Sequence, residues 1–499
     1  MERAGPPTVT GLPRFAAGRV TAVAGAVAVV LTALSGRYGF HRDELYFMVA
    51  GRHLAWGYVD QPPLTPALAR LSTAVFGDSP AGLRVVATLA FAAAVVVVAL
   101  IAREFGADPP AQVLAAVGTA GSGYPLAVGH LVSTSGFDLL AWVVIGWTTV
   151  RLLRTGDHRW WPAVGLGVGV GLLNKYLVVL LVAVLLAAMV VTGPGRTALR
   201  SWWPVAGAGI ALAVAAPTLW WQASHGWPQV TVACGISADD GTANRILVLP
   251  GQVLFLSPLL VPVWITGWLR CGRDPAIPWA RPLAVAYPLL CVLVIALGGK
   301  AYYSIPLLLV LLAAGCAPAW AWCLRGPGVG RRWLAGAVPA LAALASAVIS
   351  LPVLPASELS VPNAINREQG EQVGWPALVD AVAAAWRTIP PADRSRAVIL
   401  TDNYGQAGAI ARYGPARGLP DPYSGHMSFA DWGRPPDSAT GPVILVGDDE
   451  ARLITGCRGR GRVDNGYGLD NEEQGTVVSL CAGPIAPWSR IWASLRYYY

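Results

Sequence analysis

From Val20 to Leu354 one apolar run of bilayer length follows another, and a chain patterned this way has few ways to fold. Each run of about 20 residues has to satisfy its backbone internally, so it crosses a membrane as a helix. The runs cover 20–36, 85–102, 111–128, 137–150, 160–173 and 176–191, then 202–221, 246–269, 282–297, 305–324 and 333–354. That predicts about eleven crossings, with 137–150 and 160–173 short enough to be tilted or broken. The first run has too long an apolar core and too poor a cleavage site for a signal peptide, and reads as a retained helix.

Composition agrees. Of 499 residues 55% are hydrophobic and only 13% charged, where soluble domains carry about 25% charge. The net charge of +8 is not a nucleic-acid signature, because the arginines sit in short clusters between apolar runs. Arg3, Arg14 and Arg19, then Arg103, then Arg151, Arg154 and Arg159, and later Arg270, Arg273 and Arg281 all fall on one side. The positive-inside rule makes that side and the N-terminus cytoplasmic, in a cell membrane. An odd number of spans then leaves the C-terminus outside.

After residue 354 the character changes. Pro, Gly, Asp and Asn become common, apolar runs shrink to strand length ("AVILTDN", "PVILVGDD", "TVVSLCAG"), and 375–389 has helical amphipathic spacing. The chain thus divides into a transmembrane part, 1–354, and an extracytoplasmic α/β domain, 355–499. The seven cysteines have no paired metal spacing; Cys457 and Cys481, both in the outer domain, are candidates for a disulfide.

The stretch "YGFHRDELYFMVAGRHLAWGYVDQPPL" (38–64) follows the first span and is crowded with acids, bases and aromatics. "HRDEL" looks like a kinase catalytic loop, but Met48 stands where that loop needs Asn. Asp43 and Glu44 lie just beyond the outer end of the first span. An acid there can deprotonate a nucleophile in water beside a substrate anchored in lipid, or it can cap the helix that follows. The chain has only two lysines, Lys175 in "LLNKYLVV" and Lys300 in "LGGKAYYSIP", each between spans on the outer side and each close to tyrosine. Both suit a phosphate; a snorkelling lysine is the plainer alternative. Asp138 opens another span on the same face, and Asp60 precedes a helix-breaking Pro-Pro pair; each serves function or local structure equally well.

"HRDELYF…WGYVDQPPL", "STSGFDLL", "NKYLVVLL", "HGWP" and "GGKAYYSIP" together resemble glycosyltransferase family 39-like proteins, membrane enzymes of the GT-C class related to protein O-mannosyltransferases and the lipid A aminoarabinose transferase. "TDNYGQAGAI", "SGHMSFADWG" and "NEEQG" are similar to the C-terminal domain of bacterial members. The resemblance implies a sugar donor carried on polyprenyl phosphate and a glycan, lipid or protein acceptor outside the cytoplasm. It implies Asp43 as the catalytic acid with Glu44 beside it, Lys175 and Lys300 near the lipid phosphate, and Tyr302 and Tyr303 near the donor pocket. Gln61 departs from it, since many relatives carry a basic residue before the Pro pair. Members differ in their need for a divalent metal, and carboxylates alone permit either answer. The expected chemistry is a single inverting displacement with Asp43 as base. The rival expectation is a transporter or flippase of lipid-linked sugars, although charges gathered at one interface favour surface chemistry over translocation. A scaffold that only binds a lipid-linked glycan is the third.

Overall fold

The computed structural model describes residues 11–325 and 330–498; Arg3, one of the arginines assigned to the inner side, lies outside them. Among the described residues seven helices are long and apolar enough to span a membrane, and nine spans result if each of two bent pairs counts as one. α1 (Ala17–Leu34) leads to two short helices, α2 (Arg42–Ala50) and α3 (Leu64–Phe76), before α4 (Pro80–Glu104). α5 (Pro109–Ala120), α6 (Gly123–His130), α7 (Thr134–Thr155) and α8 (Trp161–Leu172) follow. α9 (Val178–Val191) meets α10 (Gly193–Leu199) at 111°. Then come α11 (Trp203–Ser224), α12 (Pro228–Asp239), and α13 (Gly241–Leu256), which bends by 86° into α14 (Val261–Arg273). α15 (Arg281–Leu297), α16 (Ile305–Leu324) and α17 (Gly330–Ser350) complete the bundle.

The expected count of eleven is therefore not reproduced, and the reason is local. The run 111–128 breaks at Gly121–Ser122 into α5 and α6, each too short to span alone. α8 has 12 residues and α9 has 14, and Ser257–Pro258 divides 246–269. Apolar length predicts residence in lipid; it does not predict that the helix stays continuous. Packing uses small residues at close crossings: a Cβ on Gly165 of α8 would overlap the Gly207 carbonyl of α11, and one on Gly315 of α16 would overlap the Val263 carbonyl of α14. At the far end from Asp43, Glu104 is buried and pairs with Arg151 and Arg154, so the acids and bases of one face close on each other.

Beyond the bundle, the strands form where the short apolar runs predict them. α18 (Ser360–Ile365) and α19 (Trp375–Arg387) precede β1 (Val398–Thr401), α20 (Tyr404–Tyr413), β2 (Tyr423–Ser424) and β3 (Val443–Val446). β4 (Ile454–Thr455), β5 (Arg458–Arg462), β6 (Val477–Cys481), β7 (Gly483–Pro484) and α21 (Trp488–Leu495) end the chain. The main sheet has order β2-β1-β3-β6-β5, with β1 parallel to β2 and β3, and β6 antiparallel to both of its neighbours. Period-two alternation buries both faces. Ile399 and Ile444 join a core with α19 and α20, while Val398, Leu400 and Val443 pack with Trp488 of α21. Cys457 and Cys481 are bonded, joining the start of β5 to the end of β6.

One boundary differs from the expectation. Phe40, Leu45 and Phe47, from the loop after the first span, share a core with Leu378, Ala407 and Ile410. Gly408 of α20 lies so close to α2 that a Cβ there would come within 2.9 Å of Leu45. The segment carrying Asp43 thus packs against the C-terminal region as well as against the bundle.

Candidate active site

α2 begins with a reciprocal cap that does not use the Asp43 side chain. His41 is the N-cap: its Nδ1 accepts from the Asp43 backbone N–H at 3.2 Å, and Glu44 Oε2 accepts from the His41 backbone N–H at 2.9 Å. This settles the capping alternative by geometry, because the Asp43 carboxylate points elsewhere. Its Oδ1 accepts a 2.8 Å hydrogen bond from the hydroxyl of Tyr404, the first residue of α20, and lies 3.8 Å from Arg42 Nε. Burial and the Asp43 charge push the Tyr404 phenol well above its usual range, so it keeps its proton and donates.

Glu44 requires a correction. Expected beside the substrate, it is fully buried and its oxygens are occupied. Oε1 accepts from Arg84 Nε (2.9 Å) and the Val132 backbone N–H (3.0 Å), and Oε2 accepts from Arg84 Nη2 (2.7 Å) as well as from His41. Arg84, at the start of α4, is equally buried and also donates to the carbonyls of Ser35 and Gly39. This ion pair pins the first loop to the bundle. A fixed carboxylate one residue from Asp43 sets where Asp43 points.

Asp60 forms a second tyrosine–carboxylate pair. Its Oδ1 accepts from Tyr46 at 2.6 Å, and the Tyr46 ring lies 5.0 Å from that of Tyr404. Burial raises the Asp60 carboxyl to about 6, the Tyr46 bond opposes this, and the nearby Asp43 charge adds to it. The adjacent Gln61 is buried with neither amide atom hydrogen-bonded in the chain.

Asp60 and Lys175 both line an apolar cavity of about 550 Å³ between α9, α11, α12 and α15, walled by Leu177, Leu180, Val230, Ala233 and Leu297, with Gln222, Gln229 and Tyr303 at its polar parts. Lys175 Nζ donates to Ser135 Oγ at 3.3 Å and sits 5.7 and 5.6 Å from the ring centres of Tyr302 and Tyr303. Tyr302 in turn stacks on Tyr124 at 4.9 Å. Asp138 is buried at the start of α7, accepting from Trp142 Nε1 at 3.1 Å; it lines neither this cavity nor the next. Lys300 faces a different space from Lys175. It lines a polar cavity of about 800 Å³ between the C-terminal domain and the bundle, together with Arg42, Tyr404 and His426. Lys175 and Lys300, both expected near the lipid phosphate, line different cavities.

Sequence reasoning missed Tyr404, Tyr46, Arg84 and Glu368. Glu368 meets His41 Nε2 at 2.9 Å; burial works to raise its carboxyl, but His41, Arg42 and Lys300 more than offset that and draw it down to about 2. Tyr404 lies inside "TDNYGQAGAI", yet nothing local links it to a residue 361 positions away. Among the described residues no group of three or more His, Cys, Asp or Glu side chains is arranged to hold a metal ion.

Comparison with known proteins agrees with this architecture. Residues 60–221 match the model of the dolichyl-phosphate-mannose-protein mannosyltransferase family; the match takes in Asp60, Asp138 and Lys175. The structure of ArnT from Cupriavidus metallidurans bound to undecaprenyl phosphate aligns over 94% of this chain and 99% of its own, at 14% identity and a TM-score of 0.57. Its apo state gives 0.53. Arabinofuranosyltransferase AftD from Mycobacteria aligns over 95% of this chain and 42% of its own, at 16% identity and a TM-score of 0.52. A search of the curated proteins finds no match. The resemblance read from the motifs is borne out: this is an integral membrane chain with the GT-C fold.

Proposed function

We propose that the protein is a membrane glycosyltransferase that moves a sugar from a polyprenyl-phosphate carrier to an acceptor outside the cytoplasm. The observation that carries this reading is that residues in contact with Asp43 or under its charge line two cavities of opposite character: Tyr404 and Arg42 line the polar one, and Asp60 lines the apolar one. On one side, the Tyr46–Asp60 pair leads to an apolar cavity with a lysine at its polar end, suited to an isoprenoid chain ending in phosphate. On the other, Tyr404 and Arg42 lead to a polar cavity open to water-soluble groups. The family matched over 60–221 and the undecaprenyl phosphate in the ArnT structure are consistent with such a donor.

In this mechanism Asp43 accepts the proton of an acceptor hydroxyl or amine as its heavy atom attacks the anomeric carbon. The bond from that carbon to the phosphate oxygen breaks, and the carrier phosphate leaves with the electron pair. Lys175 balances the charge that develops there, with the Tyr302 and Tyr303 faces holding its ammonium in place. Tyr404 keeps the Asp43 carboxylate aimed, and Glu44 holds the helix start. One displacement inverts the anomeric centre. With this orientation the C-terminal domain lies outside the cytoplasm and presents the acceptor. The test supplies labelled polyprenyl-phosphate sugars and a cell-envelope acceptor fraction to the protein in lipid nanodiscs. Transfer of label is expected, and movement of intact carrier across the bilayer without transfer would favour a flippase.

A further inference from the structure

The polar cavity has a chemical character of its own, and it is not that of a lipid or peptide groove. At about 800 Å³ it is in the upper range for a small-ligand site. Its lining offers only Met427 and Val477 as aliphatic side chains, so an acyl chain or an apolar amino-acid side chain has no pocket to enter. Instead it carries side-chain amides and carboxylates, groups that bond hydroxyls in pairs. It also carries three rings in contact: Tyr404 and His426 lie 5.0 Å apart, and His426 stacks on Tyr497 at 4.4 Å and 7°. Burial and the Arg42 charge hold His426 down at about 3, so its ring stays neutral. A neutral aromatic cluster beside convergent acceptors fits the mixed apolar and hydroxylated surface of a pyranose or furanose.

Charge narrows the class further. Five carboxylates line the cavity against three cations, and one of those cations, Arg42, is already paired with Glu472. An acceptor bearing several phosphates or uronates would meet net repulsion.

Resting on the glycosyltransferase reading above, we infer that this cavity is the acceptor site and that its occupant is a carbohydrate, neutral or amine-bearing, whose attacking group reaches Asp43 past Tyr404. The acceptor is then the end of a glycan, not a peptide side chain or a phosphate-rich headgroup.

The experiment uses saturation-transfer NMR on the full chain in nanodiscs. The probes are neutral gluco-, manno- and arabino-oligosaccharides, an amino-sugar oligomer, a uronic-acid oligomer and a Ser/Thr-rich peptide. Two variants test location: His426→Ala removes the central ring, and Asp448→Trp fills the cavity from an exposed position. A neutral or amino oligosaccharide should bind, and each variant should weaken it at least tenfold. Binding only by the uronic-acid oligomer or the peptide, binding by none of the six, or sugar binding unchanged in both variants would overturn the inference. The donor reading is checked separately at Cys234, an exposed thiol on α12 that lines the apolar cavity. Undecaprenyl phosphate should slow its alkylation. Protection at Cys234 without sugar binding sinks the acceptor assignment alone. Sugar binding without protection leaves the carbohydrate site standing and removes the lipid-donor reading.

Discussion

Tyr404 and Asp43 are 361 residues apart in the chain and 2.8 Å apart in the structure, the phenol of the C-terminal domain donating to the carboxylate of the first loop. The proposed base is thus completed by a residue from the other end of the protein. Tyr404→Phe keeps the ring contacts and removes only the donor. A hydrogen bond to a charged group contributes about 1.5–3 kcal/mol, so kcat should fall by about ten- to a hundredfold while the melting temperature drops by only a few degrees. An unaltered kcat would mean that Tyr404 does not aim Asp43.

The Glu44–Arg84 pair makes the opposite prediction. Both side chains are fully buried, and removing one partner of such a pair costs about 3–5 kcal/mol by leaving a charge uncompensated. Glu44→Ala should therefore lower thermal stability in nanodiscs sharply. A variant of normal stability with a raised KM would restore the substrate-binding role expected from sequence.

Asp60 has a signature in pH. Its folded carboxyl is raised from 3.8 to about 6, so the folded state prefers the protonated form. Stability from this group is complete below about pH 4 and is lost as pH rises through about 6. Two pK units correspond to about 3 kcal/mol. Asp60→Asn should melt like the wild type at pH 4 and above it at pH 7.5. Equal melting temperatures at both values would contradict the burial of this carboxyl in the folded protein.

Lys175 tests the donor cavity. Its ammonium lies over two tyrosine rings and beside Ser135, which hold a cation in place there. Lys175→Ala should weaken undecaprenyl phosphate protection of Cys234 by about ten- to a hundredfold, the loss of one charge-assisted hydrogen bond. Lys175→Arg, which keeps a cation able to stack on the tyrosine rings, should recover part of it. Full protection in the alanine variant would place the phosphate elsewhere.

Much of this was readable from the chain. Apolar length gave the membrane part, short β-rich runs gave β1, β3 and β6, and the chain's two lysines stood out in an arginine-rich sequence. What was not readable has physical causes. Helix continuity at Gly121–Ser122 and Ser257–Pro258 depends on backbone geometry that hydropathy does not encode. Glu44 and Asp43 are neighbours of the same chemistry, and only the location of Arg84 decides that one is buried in an ion pair while the other meets Tyr404. Lys175 and Lys300 look equivalent in sequence, yet the fold assigns them to different spaces. The Tyr404 contact depends on α20 docking against α2, for which a local motif carries no signal.

The most direct test of the central claim is a single-turnover transfer assay with an α- or β-defined polyprenyl-phosphate sugar, comparing wild type with Asp43→Asn and reading the anomeric configuration of the product. The account predicts an inverted product from the wild type and a rate about a hundred- to ten-thousandfold lower in the variant, with Cys234 still protected by the carrier. A retained configuration, or equal rates from the two proteins, would contradict it.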